Sequence, residues 1–154
     1  MYLDIARRLS QESHAIRLKV GAVFVSAEGV MSTGINGMPS GGTNECEYRE
    51  YYDAIKNDSL DEYPYVDKDG FRYKLVTKLE LSHAEESVFC KMLSQGVSSK
   101  NGYMFITHSP CVNCSKLIFN AGIKYVYYIE DYRSHDGVDY LRKNGVLVEK
   151  QDFI

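Results

Sequence analysis

Two short segments of this 154-residue chain carry side chains that bind metals and move protons. One is His83-Ala84-Glu85, and the other is Pro110-Cys111-Val112-Asn113-Cys114. Each follows a residue able to cap a helix, Ser82 and Ser109, and Pro110 suits a first helical turn. Both segments are therefore expected where helices begin. Residues three apart on a helix share a face, so Cys111 and Cys114 can grip one ion. A helix N-terminus also favours thiolate over thiol. His83 adds a neutral third ligand. Two thiolates and an imidazole fill three positions of a tetrahedral zinc site and leave the fourth open for water. That is the pattern of a catalytic site, since structural zinc usually has four protein ligands. Zinc makes hydroxide available near neutral pH.

Glu85 stands two residues from His83, and each helical step turns about 100°. Both side chains can face one ion only if His83 lies at the helix entry, before the backbone becomes regular. Glu85 is then a proton shuttle rather than a ligand. A Cys-x-x-Cys pair alone is also compatible with two packed cysteines, and a lone histidine with a structural hydrogen bond. The conjunction of the two segments is what selects one catalytic zinc per chain.

These residues need a scaffold. Residues 2–15 place Leu3, Ile5, Ala6, Leu9 and Ala15 near helical spacing, which predicts a first helix. Residues 20–25 form a continuous apolar run, as in a strand buried on both faces. A turn at Ala27-Glu28-Gly29 returns the chain as a second strand over 30–35. Residues 36–46 read as a loop. Residues 47–78 form an insertion, predicted as a helix near 47–57 with irregular structure after it. Then follow a helix over 81–93 ended by Gly96, a strand over 104–107, a helix over 111–121 stopped by Gly122 and a strand over 126–129. A short helix over 138–143 and a strand over 146–148 close the chain. Alternating strands and helices imply parallel pairing. The fold class is α/β, a single domain over 1–154 with a central mixed sheet, the hairpin first, and helices on both faces.

The composition is that of a globular domain, with 44% hydrophobic and 25% charged residues. A net charge of −3 argues against a protein that coats nucleic acid. The charged first 20 residues contain no leader-like apolar core, and no stretch approaches a membrane span. The expectation is a cytoplasmic protein, in the host cell if phage-encoded, with no membrane and no nucleic-acid partner. Four cysteines then read as thiols or ligands rather than disulfides. Cys46 and Cys90 are unpaired in this reading, Cys90 as a buried thiol. His14, His108 and His135 lack a partner pattern, though His108 sits just before the second metal segment. Six of the thirteen tyrosines lie between Tyr48 and Tyr73, as insertion packing, an oligomer contact or a stacking surface.

At His83-Ala84-Glu85 and Pro110 to Cys114 the sequence resembles the zinc-dependent cytidine deaminases, whose signature is H-x-E followed by P-C-x-x-C. Within them it is similar to the deoxycytidylate (dCMP) deaminases, the phage members above all. Ser10 to Ser13 and Lys19 to Val23 fit that family, as do Ser32 to Pro39 with Gly41-Gly42. Ala121 to Lys124, Tyr132 and Leu141 with Gly145-Val146 complete a likeness that spares only about residues 50–78. The resemblance implies a three-layer fold with a central five-stranded mixed sheet between helices, and hydrolysis of dCMP to dUMP and ammonia by a homo-oligomer, hexamer or dimer. It implies contacts of Asn36 with the sugar, of the Ala84 and Ser109 backbones with the pyrimidine, of Tyr132 with the substrate and of Lys19 with phosphate. It implies dCTP as activator and dTTP as inhibitor, each with Mg²⁺, and Arg17, Gly37, Gly41 and Gly42 are candidates for that effector site. The glycines can bring backbone N–H groups close to phosphates.

The chain departs from the family pattern at three places. Ser87 stands for the usual Asn after the first motif, and Ser94 for an Arg near the end of that helix. A second zinc found in some phage members lacks its ligands, because Ala15 replaces a cysteine and residues 47–82 hold no histidine. Alternatives of related chemistry are deamination of dCTP, of a nucleoside or of tRNA adenosine. A non-catalytic zinc module is the alternative of another class, and Glu85 argues against it.

Overall fold

The computed structural model describes residues 1–57 and 59–152. Its elements are α1 (Tyr2–Ser10), β1 (Gly21–Val25), β2 (Met31–Ile35), β3 (Glu47–Tyr51), β4 (Tyr65–Val66), β5 (Arg72–Thr77), α2 (Ala84–Gln95), β6 (Tyr103–His108), α3 (Val112–Asn120), β7 (Tyr125–Glu130), α4 (Asp136–Lys143) and β8 (Leu147–Lys150). The central sheet has five strands in the order β2-β1-β6-β7-β8. The first hairpin pairs antiparallel, as does β1 with β6, whereas β6, β7 and β8 run parallel. A mixed five-stranded sheet between helices is the predicted architecture.

The apolar run of β1 is buried on both faces because it is an interior strand with helices packed against each face of the sheet. Ala22 and Phe24 point into a core shared with Val88 and Met92 of α2, Ile118 of α3 and Leu141 of α4. Val23 and Val25 point the other way, onto α1 and its Ala6, Ile5 and Leu9. One face of the sheet thus carries three helices and the other α1. Period-2 alternation assigns each side chain to its layer. No helix among the described residues is long and apolar enough to cross a membrane.

The predicted first helix ends early, at Ser10. Residues 11–20 leave it as a loop, in which Ser13 turns inward and donates its hydroxyl to the Asn36 side chain at 2.7 Å. The insertion is a sheet, not a helix. Strands β3, β5 and β4 pair antiparallel in that order. The reason is cross-strand chemistry that helical spacing cannot express. Glu50 pairs with Lys74 at 2.8 Å, Tyr51 and Tyr65 pack on Tyr73, and the Arg49 guanidinium covers the same ring. Cys90 is exposed and Cys46 is the buried thiol, the reverse of the expectation for Cys90. The hydrophobic run around Cys90 belongs to a helix whose buried side chains are Ala84, Glu85, Val88 and Met92, and Cys90 lies off that face.

Candidate active site

The caps are not where the sequence placed them. His83 itself is the N-cap of α2, with φ −70° and ψ 158°. Cys111 is the N-cap of α3, with φ −69° and ψ 169°. Ser82 instead exchanges backbone hydrogen bonds with Gly37, and Ser109 is buried behind the loop after β7. The extended backbone at His83 meets the geometric condition for His83 and Glu85 to serve one site. The Glu86 carboxylate accepts the His83 N–H at 3.0 Å and fixes this entry. Gly34 of β2 lets the helix start lie this close, because a Cβ there would stand 2.4 Å from the Ala84 carbonyl oxygen.

Two helix N-termini therefore converge on three metal-ligating groups. His83 Nδ1 lies 3.6 Å from Cys111 Sγ and 3.4 Å from Cys114 Sγ, and all three ligand atoms lie within 4.8 Å of one another. The Cys114 N–H also points at the Cys111 sulfur, 3.5 Å away. Among the described residues this is the one such cluster of three.

The charges show what the cluster is built for. The hydrogen bond with Cys111 pushes the His83 imidazole up to about 9, helped by Glu85 and opposed by burial. Hydrogen bonds from Cys114 and then His83 pull Cys111 down to about 4. The hydrogen bond with Cys111, then burial, pushes Cys114 far above the usual thiol range. With no cation, one sulfur takes the charge and its neighbour keeps its proton. A divalent cation lets both sulfurs ionise beside a neutral imidazole, so the donor set fits zinc. Glu85 is 4% exposed, and burial pushes its carboxyl up to about 7.

The cluster opens into a solvent-accessible cavity. His83, Glu85 and Cys111 line it together with Asn36, Ala84, Ser109 and Tyr132. The Ser109 hydroxyl accepts the Tyr132 N–H at 2.7 Å, which ties the loop after β7 to the second metal segment. Asn36 is largely committed to the scaffold. Its carbonyl oxygen accepts from Val20 N–H and Ser13 Oγ, and its Nδ2 donates to the Leu18 carbonyl. One amide hydrogen of Asn36 stays available to a ligand.

Other expected residues lie elsewhere. Lys19 does not line the cavity; its Nζ is 3.4 Å from the Gln11 carbonyl. Gly37 is bridged to Ser82, and the Gly42 amide donates to Pro39. Neither glycine lines the cavity, nor does Gly41, whereas Arg17 does. Ser87 donates its hydroxyl to the Ile35 carbonyl at 3.0 Å, and Ser94 to the Lys91 carbonyl at 2.8 Å. The sequence reading missed Arg133, Glu47 and Thr77, which also line the cavity, and it left His108 without a place. His108 lies half-buried in the same wall, and burial pulls its imidazole below the usual range. The available signal was position: Arg133 follows Tyr132, and His108 precedes Ser109.

Comparison with known proteins bears on this site. Residues 1–130 match the cytidine and deoxycytidylate deaminase zinc-binding region. The chain is 30% identical to the deoxycytidylate deaminase of enterobacteria phage T4, over 93% of this chain and 83% of the phage protein. It is 32% identical to that of phage T2, over 93% and 86%. The crystal structure of dCMP deaminase from the cyanophage S-TIM5, in complex with dCMP and dUMP, superposes with a TM-score of 0.77. It is 38% identical and covers 97% of this chain and 93% of that one.

Proposed function

The chain belongs to the cytidine and deoxycytidylate deaminase family, and from that premise we propose that it hydrolyses dCMP to dUMP and ammonia. The observation that carries the reading is the His83–Cys111–Cys114 cluster, two of whose residues, His83 and Cys111, line an open cavity together with the buried Glu85. A zinc ion held by these three residues supplies Lewis acidity that brings water into reach of deprotonation near neutral pH. The other steps belong to the chain's own side chains. Glu85 takes a proton from the water that adds at C4 of the pyrimidine, and passes it to ring nitrogen N3. It then takes the remaining proton of the hydroxyl now on C4 and gives it to the departing 4-amino group, so that ammonia leaves, the C4 carbonyl of dUMP forms and N3 keeps its hydrogen. Its burial in the first turn of α2 keeps competing water from the carboxylate. The Ala84 and Ser109 backbones hold the pyrimidine, Tyr132 borders it, and the free Asn36 amide hydrogen reaches the sugar.

An ultraviolet assay of dCMP, dCTP, deoxycytidine and cytosine tests this. The expected result is the highest kcat/KM for dCMP, since a 5′-phosphate offers charge-assisted contacts that the nucleoside lacks. Equal values for dCMP and deoxycytidine end the monophosphate reading.

The reading extends to regulation and assembly. It holds that dCTP activates and dTTP inhibits, each with Mg²⁺, in a homo-oligomer, hexamer or dimer. A triphosphate on the Gly37–Gly42 loop acts on the same loop that supplies Asn36, so effector and substrate share an element, whereas Arg17 lines the substrate cavity and falls outside that effector site. Sigmoidal dCMP kinetics that turn hyperbolic with dCTP–Mg²⁺ support it. Identical hyperbolic curves with and without both triphosphates, in a confirmed oligomer, end it.

A further inference from the structure

The inserted sheet touches the active site at its base. Glu47 opens β3 and Thr77 closes β5, and the two are register partners. Both line the cavity that holds His83 and Glu85. One oxygen of Glu47, Oε1, accepts the N–H groups of Ile16 and Arg17 at 2.9 and 3.0 Å. The Arg17 guanidinium in turn donates to Thr77 Oγ1 at 3.2 Å. The insertion thus holds Arg17 twice, by its backbone and by its head group. Arg17 and Arg133 are the two arginines that line the cavity. A guanidinium has five N–H donors, and Thr77 engages one, so Arg17 keeps donors free for an oxyanion. Glu47 is itself an anion beside this end of the cavity, and two backbone N–H groups occupy the oxygen through which it is held.

We propose that the inserted sheet is a working part of the substrate site, in which Glu47 is a positioning residue that presents Arg17 to the 5′-phosphate of the nucleotide, opposite Arg133. This rests on the reading of the substrate as a nucleoside monophosphate. It gives residues 47–77 a role in substrate selection.

The test measures kcat and KM for dCMP and for deoxycytidine in the zinc-loaded full chain and its variants. Arg17→Ala is expected to lower the dCMP-to-deoxycytidine ratio of kcat/KM about tenfold or more, the scale of one charge-assisted hydrogen bond. Glu47→Ala is expected to lower the same ratio through KM for dCMP, and Glu47→Gln to restore it, because a Gln carbonyl still accepts both N–H groups. The double variant Glu47→Ala/Arg17→Ala is expected to match Arg17→Ala, since the two changes remove one interaction. A purely structural role moves both substrates together and leaves the ratio intact. A wild-type preference for dCMP that survives Glu47→Ala, or additive losses in the double variant, overturns the inference alone. No wild-type preference overturns the functional reading and this inference with it.

Discussion

His83 Nδ1 lies 3.4 Å from Cys114 Sγ, although 31 residues separate them in sequence. That approach exists because α2 and α3 both begin at the same end of the sheet, each entered through an extended residue. One tightly bound zinc per chain is the expected outcome, since the described residues hold one complete ligand cluster. Metal analysis of protein purified without added zinc checks the count. Cys114→Ala removes a buried ligand, and metal and thermal stability are expected to fall together. A chelator should then lower Tm in the wild type and leave the variant unmoved. Two zincs per chain, or a stable zinc-loaded Cys114→Ala, contradicts this ligand set.

Glu85→Gln keeps the size of a 4%-exposed side chain and removes its ability to exchange protons. Fold and zinc content are expected to persist, while turnover falls by roughly 10²–10⁴, the range for loss of a general acid–base. Turnover within tenfold of wild type assigns the proton transfers to another group.

The metal residues were legible because their types and spacing are local: His-x-Glu and Cys-x-x-Cys each fit inside one helix start. The central sheet was legible for a related reason, since runs such as Val20 to Val25 carry their burial in their composition. Three features were not. Tyr48, Arg49 and Tyr51 declare a strand only through partners more than 20 residues away, on β5. Glu47 and Thr77 reach the cavity through tertiary folding of the insertion onto the 15–17 loop. His83 and Cys111 displaced Ser82 and Ser109 as caps, because a cap is chosen by backbone geometry as well as by side-chain type. Lys19 shows the converse limit: a cation near the site in sequence turned to the Gln11 carbonyl.

Asp131 joins the ends of two strands. Its carboxylate pairs with Lys150 at the end of β8 and accepts the Tyr128 hydroxyl from β7 at 3.1 Å. Lys150 and then Tyr128 hold it below the usual carboxylate range, against desolvation. A carboxyl depressed in the folded state stabilises above its unfolded pKa, near 4, and loses that contribution as pH falls through its folded value. Asp131→Asn is therefore expected to be less stable than wild type at pH 7, with the difference closing in strong acid. Urea unfolding of both proteins from pH 7 down to about 2.5 measures it. A gap that stays constant across this range assigns the effect to packing.

The last prediction concerns Gly34, which sits where β2 meets the start of α2. A Cβ at this position would stand 2.4 Å from the Ala84 carbonyl oxygen, and 2.9 Å from both the Val88 amide nitrogen and its Cγ2. Two of these three atoms are backbone, so no side-chain rotation relieves the contact. Gly34→Ala must push the first turn of α2 away from the sheet, and that turn carries Glu85 just after His83. Overpacking of this kind costs about 1–3 kcal/mol. The displacement adds a loss that stability alone does not explain, because the His83 ring moves away from Cys111 and Cys114. Zinc affinity and turnover are therefore expected to fall more than the drop in Tm accounts for. Trimming Val88 removes only the Cγ2 contact, so Gly34→Ala/Val88→Ala should regain neither. Calorimetric unfolding, zinc titration and dCMP turnover on the two variants decide the matter. A Gly34→Ala protein with wild-type zinc affinity and turnover means that α2 stands off β2 without moving the metal ligands.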